Sequence, residues 1–376
     1  MKYCKKCLQP NTRPYIKFDK EGICFPCNYL NSLNSNIWKD RKNKIKEIAN
    51  WCKKNKSPSG YDCIISASGG KDSTRLALLC RDTLRLNPLL VSTVSPPEMT
   101  TQIGYENINN LNKLGFDIIT VEPDPVIYKK LMKYSFIEYG NYARSTELTL
   151  YASAPRVAIA YGIKMIFLGE NNSLAYGEKE GSKDQGNAID MINYNTLGSG
   201  DISWMTIPDY KIKKKDLIPY MYPSKKDLIK NGINIRYLGY YFKDFNNYSN
   251  ARVAIKNGLR IRKENPNSLG ALTNYDALDD DFVAVNQMVK YFKFGFGKAT
   301  EEASEMIRLG ILTRKEAKKI VFKNDGECSS KYIDDFCKYL GITKKRFFLI
   351  ANRYRSKNLW IKNGKNWRRT FDLMKS

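Results

Sequence analysis

Short apolar runs alternate with amphipathic stretches between residues 61 and 171. Each apolar run is bounded by polar or glycine-rich loops, and helical spacing of apolar residues lies between the runs. This alternation predicts an α/β fold, a parallel sheet with helices on both faces, in which the loops after the strands face the ligand. The predicted strands are 61–66, 88–94, 117–121 and 164–168, and the predicted helices are 74–84, 103–114 and 148–160.

Helical spacing dominates after residue 216, apart from a strand-like run at 235–241. Thr313 and Glu316 form a capping box that opens one of these helices. We expect 176–208 to form a long loop or lid and the basic tail, 362–376, to fray. The predicted C-terminal helices are 280–294, 300–309, 313–322, 332–340 and 343–354. The predicted divisions are a zinc-ribbon-like module (1–35), a connecting helix (36–60), an α/β domain (61–215) and a mainly helical region (216–376).

Composition indicates a globular protein. The 376 residues favour two domains with a small appendage, and 42% hydrophobic and 27% charged residues are ordinary for packed chains. No window approaches the roughly 18 apolar residues of a membrane span, and the N-terminus lacks the apolar core of a signal peptide. We therefore expect a cytoplasmic protein that makes no membrane contact.

The chain contains no histidine. It therefore cannot supply a Ser-His-Asp triad, a Cys-His dyad or a histidine metal ligand. Sixty-three Lys and Arg against 38 Asp and Glu give a net charge of +25, which favours polyanionic partners. Because the lysines are scattered along the whole chain, a solvated surface explains the charge equally well.

Two CxxC pairs, Cys4 with Cys7 and Cys24 with Cys27, are separated by 16 residues. This is the spacing of a four-thiolate zinc ribbon, in which two tight turns bring four sulfurs around one ion. Such a site has no open coordination position, so we expect a structural zinc ion with a docking or folding role. The alternative is two redox pairs or unrelated free thiols.

Ser68-Gly-Gly-Lys-Asp-Ser73 lies between a predicted strand and a predicted helix. Glycines let backbone N–H groups approach phosphate, and the helix N-terminus adds positive potential. Lys71 is suited to neutralise phosphate charge, and Asp72 is suited to hold Mg²⁺. The Walker pattern is absent. Ordinary solvation at a helix start is the alternative for both side chains.

This loop resembles the PP-loop of the ATP pyrophosphatases. Together with the cysteine pairs and further segments, it resembles the N-acetyl sugar amidotransferases. These enzymes belong to bacterial surface-sugar pathways, including pseudaminic acid biosynthesis and lipopolysaccharide O-antigen or flagellin glycan assembly. The resemblance spans nearly the whole chain, and the further segments are 168–171, 237–241, 293–298 and 307–308.

The resemblance implies an enzyme that converts an N-acetyl group of a nucleotide-activated sugar to an acetamidino group, using ATP and Mg²⁺. ATP would adenylate the amide oxygen and release pyrophosphate, and ammonia would then displace AMP. By the same resemblance, the phosphates would be bound by Ser68, Gly69, Gly70 and Ser73, with help from Lys71 and Asp72. Near the activated carbonyl would lie Gly169, Glu170 and Asn171. An anionic sugar or its phosphates would be bound by Lys298 and Arg308. For the last two, solvated helix charge is the alternative.

The ammonia source is expected to be a separate glutaminase subunit, possibly acting with a subunit that conducts ammonia. A class I glutaminase needs Cys and His, and an N-terminal-nucleophile glutaminase needs a cysteine after Met1, where Lys2 stands. The family resemblance implies the same separate partner.

A PP-loop tRNA-modifying enzyme, either a thiolase or a lysidine-type ligase, is the main alternative, because such enzymes share the loop and suit the positive charge. Sulfur relay favours a cysteine near the activated base, and the cysteines after residue 27 lie singly. A non-catalytic zinc protein that binds nucleic acid would leave the phosphate loop unexplained. We therefore expect a sugar substrate and no nucleic-acid partner.

Overall fold

A computed structural model describes residues 1–169, 186–193, 200–364 and 366–375. Within these residues, five short strands form one sheet in which every neighbouring pair is parallel. They are β1 (Cys63–Ser66), β2 (Pro88–Thr93), β3 (Ile118–Val121), β4 (Met165–Leu168) and β5 (Asn234–Tyr237), in the order β3-β2-β1-β4-β5.

The chain changes direction across the sheet at its central strand. From β1 it proceeds outward through β2 and β3, and it then returns to the other side of β1 as β4. Ile64 lies beside Ile166 and Ile65 beside Phe167. The carboxyl ends of β1 and β4 are therefore neighbours at a topological switch point, where open α/β sheets bind their ligands.

Thirteen α-helices are formed by the described residues, together with short 3-10 turns. The first six are α1 (Phe25–Ser32), α2 (Ser35–Lys54), α3 (Lys71–Leu78), α4 (Gln102–Lys113), α5 (Pro125–Tyr139) and α6 (Ala143–Tyr161). The others are α7 (Lys225–Lys230), α8 (Asn247–Lys256), α9 (Val283–Phe294), α10 (Lys298–Arg308), α11 (Arg314–Asn324), α12 (Ser330–Leu340) and α13 (Lys344–Arg353).

Helices cover both faces of the sheet, as the sequence predicts. In β1, Cys63 and Ile65 pack with α2, α3 and α4, whereas Ile64 points into the opposite core with α6 and α7. All three side chains are fully buried. Because successive strand residues face opposite sides, a strand buried on both faces becomes a continuous apolar run. The α/β fold class is therefore confirmed.

Helices α9, α12 and α13 share one hydrophobic core with α5. Phe136 of α5 stacks on Phe347 with ring centroids 5.3 Å apart and meets Phe336 edge-on at 5.1 Å. Both arrangements are favourable for aromatic pairs. The described helices include none that is long and apolar enough to cross a membrane.

Several parts of the chain differ from the sequence prediction, since α1, α5, α7, α8 and an ordered tail were not predicted. Helix α5 was not predicted, although Asp124 caps it by accepting hydrogen bonds from the N–H groups of Val126 and Ile127 at 2.8 and 3.0 Å. The prediction of a frayed tail over 362–376 is wrong, because β6 (Trp360–Asn363) and β7 (Asn366–Arg369) form an antiparallel hairpin. Trp360 anchors this hairpin by donating from its indole N–H to the Phe292 carbonyl at 2.8 Å. The capping box of Thr313 and Glu316 is present.

Candidate functional site at the end of the sheet

The loop between β1 and α3 requires glycine at Gly69. Its φ of +79° lies in the left-handed region, and a Cβ there would come within 3.0 Å of the Ile108 backbone nitrogen in α4. Both facts exclude a larger residue. Gly70 precedes the first residue of α3 and is its N-cap. The predicted strand-loop-helix arrangement is therefore present.

The hydroxyl groups beside this loop are engaged with its backbone. Ser73 Oγ donates to the Gly70 carbonyl at 3.1 Å, and Thr74 Oγ1 donates to the same oxygen at 2.9 Å. Ser68 is half-buried. These contacts hold Gly70 at the start of α3. Phosphate binding by Ser68, Gly69, Gly70 and Ser73 stays a prediction.

Lys71 is buried between two carboxylates. Its ammonium is 3.0 Å from Asp72 Oδ2 and also contacts Asp276 Oδ1. On its other side, Asp276 Oδ2 forms an ion pair with Lys298 Nζ at 2.7 Å. Burial alone would lower the pKa of Lys71, but Asp276 and Asp72 raise it above its ordinary value. Likewise, burial opposes ionisation of Asp276, yet Lys298 and Lys71 hold its pKa well below the ordinary value.

Asp72 lies at the switch point with one carboxylate oxygen fixed by α8. Asn250 donates to Asp72 Oδ1 at 2.8 Å, and Asn250 is 1% exposed. A Cβ added to Gly169 would lie 3.5 Å from the Asp72 Cβ and 2.7 Å from Leu76 Cδ1. The ends of β1 and β4 are therefore as close as the topology requires. The Asp72 side chain itself is 41% exposed.

A cavity of about 630 Å³ opens beside Asp72 and Gly169. One wall is helix α10, whose residues Lys298, Glu301, Glu302, Glu305 and Arg308 all line the cavity. Because residues three, four and seven apart share one helical face, this polar stripe is encoded by their spacing. The structure thus brings Lys298 and Arg308 to the cavity that Asp72 lines.

Backbone N–H groups at the N-terminus of α10 donate hydrogen bonds to a side chain of the protein itself. Asp325 accepts hydrogen bonds from the N–H of Gly297 at 2.9 Å and from the N–H of Thr300 at 3.1 Å. Thr300 Oγ1 donates to Asp325 as well, at 2.6 Å. Anion binding at this wall therefore depends on side chains rather than on the free end of the helix.

Glu302 is the buried acid of the stripe. It accepts from the Leu272 N–H and from Thr273 Oγ1, both at 2.6 Å, and Lys298 Nζ is 4.0 Å away. Burial, reinforced by the nearby Asp276 charge, raises the pKa of Glu302 to about 7. A carboxyl with such a pKa can exchange a proton near neutral pH, which fits it for acid-base work.

Glu302→Gln is expected to flatten the pH dependence of stability. A raised pKa stabilises the fold below the ordinary value of 4.5, and this contribution is lost as pH rises through about 7. Removing the group should therefore reduce the stability lost between about pH 5 and pH 8 by on the order of 1 to 3 kcal/mol. Urea unfolding at both ends of this range measures the difference.

Because the chain contains no histidine, no side chain with an unperturbed pKa between 5 and 8 contributes to this pH dependence. Part of the slope remains in the variant, since burial also raises the pKa of Asp325 to about 6 and that of Asp280 to about 7. Glu47→Gln, at an exposed glutamate, is the control. An unchanged slope in Glu302→Gln would show that Glu302 is ionised throughout.

The four cysteines form a closed cluster whose geometry could hold a metal ion. All four are buried, and their Sγ atoms lie within 4.8 Å of one another. Cys4 Sγ is 4.0 Å from Cys27 Sγ, and Cys7 Sγ is 3.6 Å from Cys24 Sγ. A regular tetrahedron with metal-sulfur bonds of about 2.3 Å has edges of about 3.8 Å. The thiolates therefore fit a single tetrahedral ion.

Arg308 links this centre to the cavity. It lines the cavity, and its Nη1 lies 3.9 Å from Cys7 Sγ. Burial alone would lower the pKa of Arg308, but the Cys7 and Cys27 sulfurs raise it above the ordinary value. Arg308 thus contacts a cysteine sulfur as well as lining the cavity, and its role in binding an anionic substrate stays a prediction.

Glu170 and Asn171 lie outside the described residues, and so does much of the predicted lid at 176–208. Three residues of the site were not predicted from the sequence: Asp276, Asn250 and Glu302. Only Glu302 had a signal, because it lies four residues after Lys298 on a helix. Asp276 and Asn250 reach the site through tertiary packing of distant segments.

Comparison with known proteins adds one family match. Residues 269–374 match the family described as LPS biosynthesis protein WbpG-like, C-terminal domain. This segment contains Asp276 and all of α10, which form one side of the site. The α10 wall of the cavity therefore lies within the segment that matches this family.

Two further proteins are similar over most of the chain. The chain is 23% identical over 318 residues to the uncharacterized protein MJ1599 of Methanocaldococcus jannaschii, a match that covers 84% of this chain and 91% of that protein. The structure of U34-tRNA thiolase NcsA from Methanococcus maripaludis with its 4Fe-4S cluster superposes with a TM-score of 0.29 and 14% identity. That superposition covers 86% of this chain and 89% of the other. At this score it supports no argument about fold or function.

Proposed function

We propose that this protein is an ATP-dependent amidotransferase that converts an N-acetyl group of a nucleotide-activated bacterial surface sugar to an acetamidino group. The acetamido oxygen attacks the α-phosphorus of ATP and pyrophosphate leaves, which gives an O-adenylyl imidate. Ammonia then adds to the imidate carbon, and AMP departs with the former amide oxygen. The net exchange replaces one oxygen by an NH group.

One observation carries this proposal. A single cavity is lined by Asp72 and Gly169 at the switch point and by α10, which lies in the segment that matches the lipopolysaccharide-biosynthesis domain. A phosphate loop and a polar wall of this kind are suited to bring ATP and a hydroxylated acceptor together. Holding two reactants in one site supplies much of the rate of a bimolecular reaction.

The residues near the loop have complementary tasks in this proposal. Asp72 offers a partly exposed carboxylate to Mg²⁺, which favours carboxylate and phosphate oxygens. Lys298 lines the cavity and would place positive charge near the departing pyrophosphate, whereas Lys71 holds Asp72 and Asp276 from behind. Glu302 is placed on the same wall and is suited to accept a proton from the attacking ammonia.

The four-cysteine centre would hold zinc. Tetrahedral all-thiolate coordination is the usual environment of a structural zinc ion, and a closed site offers no position to a substrate. Backbone N–H groups support the charged sulfurs, since Cys24 N–H donates to Cys4 Sγ at 3.2 Å and Gln9 N–H donates to Cys7 Sγ at 3.4 Å. When bound, the ion crosslinks the module.

Ammonia would come from a separate glutaminase. The chain has no histidine, and the described residues that line the cavity include no cysteine. Among the described lining residues, therefore, none offers a thiol nucleophile that could hydrolyse glutamine beside the proposed reaction site. The same fact weakens the thiolase alternative, because Cys52, Cys63 and Cys80 are buried in the fold.

The direct test is turnover with free ammonium. The purified chain is incubated with ATP, Mg²⁺, ammonium and diacetamido sugars linked to UDP or CMP. We expect AMP and pyrophosphate in equal amounts and a product in which mass spectrometry finds one oxygen replaced by NH. Pyrophosphate release that depends on tRNA and not on any sugar would contradict the proposal and favour a tRNA-modifying enzyme.

A further inference from the structure

The four-cysteine module is docked directly on the helices that form the cavity wall. Leu8 N–H donates to Ser304 Oγ of α10 at 3.3 Å. Arg314, at the start of α11, donates to the carbonyl oxygens of Cys4 and Cys7, both at 3.2 Å. These contacts fix the module against α10 and α11 through the backbone of the metal-binding turn. The position of the module therefore depends on how that turn is folded.

Arg13 belongs to the four-cysteine module and reaches the cavity. It follows the first CxxC turn, lines the cavity, and has a side chain only 10% exposed. Its Nη1 is 2.9 Å from Glu301 Oε1 and 3.2 Å from Gln9 Oε1. Gln9 also lines the cavity, and its backbone N–H donates to Cys7 Sγ. The guanidinium is thus held by a residue that contacts a metal-binding sulfur.

The charge around Arg13 suits an anion. Glu301 accepts from Arg13 through Oε1 and from Lys290 through Oε2, the latter at 2.9 Å, so two cations share one carboxylate. Burial would raise the pKa of Glu301, but Lys290 and Arg13 lower it to about 2, so it stays ionised. Lys290 and Phe296 line the same part of the cavity. Two cations and one carboxylate therefore lie together in this part of the cavity.

This cluster is separate from the phosphate loop but lies on the same helix face. Glu301 is one helical turn after Lys298, which reaches the loop through Asp276. A ligand that fills the cavity from Asp72 to Arg13 would therefore lie along α10. ATP at the loop would occupy the first part, and the second part is available to the acceptor.

We propose that Arg13, positioned by the four-cysteine centre, binds an anionic group of the acceptor substrate, so that metal binding and acceptor binding stabilise each other. This inference rests on the proposed function, which defines the acceptor. The anionic group is a phosphate of the nucleotide or a carboxylate of the sugar. Because linkage is reciprocal, a bound acceptor must slow metal loss if the metal favours acceptor binding.

The experiment measures binding in the absence of ATP. Calorimetry on the metal-loaded chain uses four probes: UDP, UDP-N-acetylglucosamine, its uronic acid, and CMP-N-acetylneuraminate. Arg13→Gln is compared with Lys20→Gln, which removes an exposed charge from the same module. We expect Arg13→Gln to raise Kd roughly tenfold or more, as loss of a charge-assisted hydrogen bond does, and Lys20→Gln to leave Kd unchanged.

The probes identify the anionic group. A loss of affinity for every phosphate-containing probe, UDP included, assigns Arg13 to the phosphates. A loss confined to the two carboxylate-containing probes assigns it to the sugar carboxylate. Equal affinities in Arg13→Gln and the native chain, or no binding of any probe by the native chain, would overturn the proposal.

Metal release gives the second readout. A chelating dye that reports released metal is added to the native chain with and without the tightest probe. We expect the probe to slow release severalfold in the native chain and in Lys20→Gln, but not in Arg13→Gln. Equal release rates with and without the probe in the native chain would refute the coupling.

Failure of this inference is distinguishable from failure of the proposed function. Sugar-dependent pyrophosphate release together with unchanged acceptor binding in Arg13→Gln would refute the role of Arg13 alone. Binding that depends on Arg13, without any sugar-dependent pyrophosphate release, would refute the amidotransferase reaction and retain an anion site.

Discussion

Asp72→Asn is expected to reduce sugar-dependent pyrophosphate release roughly 100-fold or more, as loss of a charged group that stabilises a transition state commonly does. The amide cannot supply the negative charge that Mg²⁺ requires. Its NH₂ group would also face a donor, because Lys71 Nζ and Asn250 Nδ2 approach the two oxygens at 3.0 and 2.8 Å. Initial-rate measurements of pyrophosphate at saturating ATP test this.

The matched control is Asp244→Asn. Asp244 forms an ion pair at 2.7 Å with Arg75, which lies on α3 as Asp72 does. The Asp244 side chain is 62% exposed, and Asp244 does not line the cavity. We expect native rates from this variant, and circular dichroism spectra like those of the native chain from both. Native turnover in Asp72→Asn would remove Asp72 from the reaction site.

Asp276→Asn is expected to give the largest loss of stability, about 3 to 5 kcal/mol, as removal of one partner from a buried ion pair does. Asp276 is 12% exposed and holds the ammonium groups of Lys71 and Lys298 together. The amide has similar volume, so the loss reports charge rather than a cavity. Equilibrium denaturation at neutral pH gives the free energy of unfolding.

Asp334→Asn tests whether the effect depends on burial. Asp334 pairs with Lys344 at 2.9 Å, and both side chains are about half exposed. Surface pairs of this kind contribute about 0 to 1 kcal/mol. Comparable losses in the two variants would show that Asp276 is as well solvated as Asp334.

The central sheet was predictable because its strands are buried on both faces. Strand β4, for example, is an uninterrupted apolar run that is buried along its whole length. The buried residues of helix α5 lie on one stripe, as in Ile127, Leu131 and Ser135. Apolar and aromatic residues also lie off this stripe, as Val126 and Tyr134 do, so the sequence lacks the clear period of an amphipathic helix.

The hairpin of β6 and β7 was not predicted from the sequence for a different reason. Its residues are mostly polar and basic, so the local sequence resembles a solvated tail. The stabilising contacts come from Trp360 and Phe371, which pack on Tyr291 of α9. Such tertiary contacts have no local signature.

The candidate site was predictable where one segment carries several of its residues. The loop 68–73 and the cysteine pairs have diagnostic spacing, and Lys298 and Arg308 lie on one helix face. Asp276 belongs to an irregular segment and meets Lys71 only because the C-terminal region folds over the sheet. Arg13 likewise reaches the cavity only through docking of the cysteine module.

The measurement that tests the central claim most directly follows the acetamido oxygen. An acceptor sugar carrying the heavy oxygen isotope in its N-acetyl carbonyl is converted with ATP and ammonium, and AMP and pyrophosphate are analysed by mass spectrometry. If the chain adenylates that oxygen, the label appears in the phosphate of AMP. Label that stays in the sugar or enters pyrophosphate, or formation of ADP in place of AMP, would contradict the account.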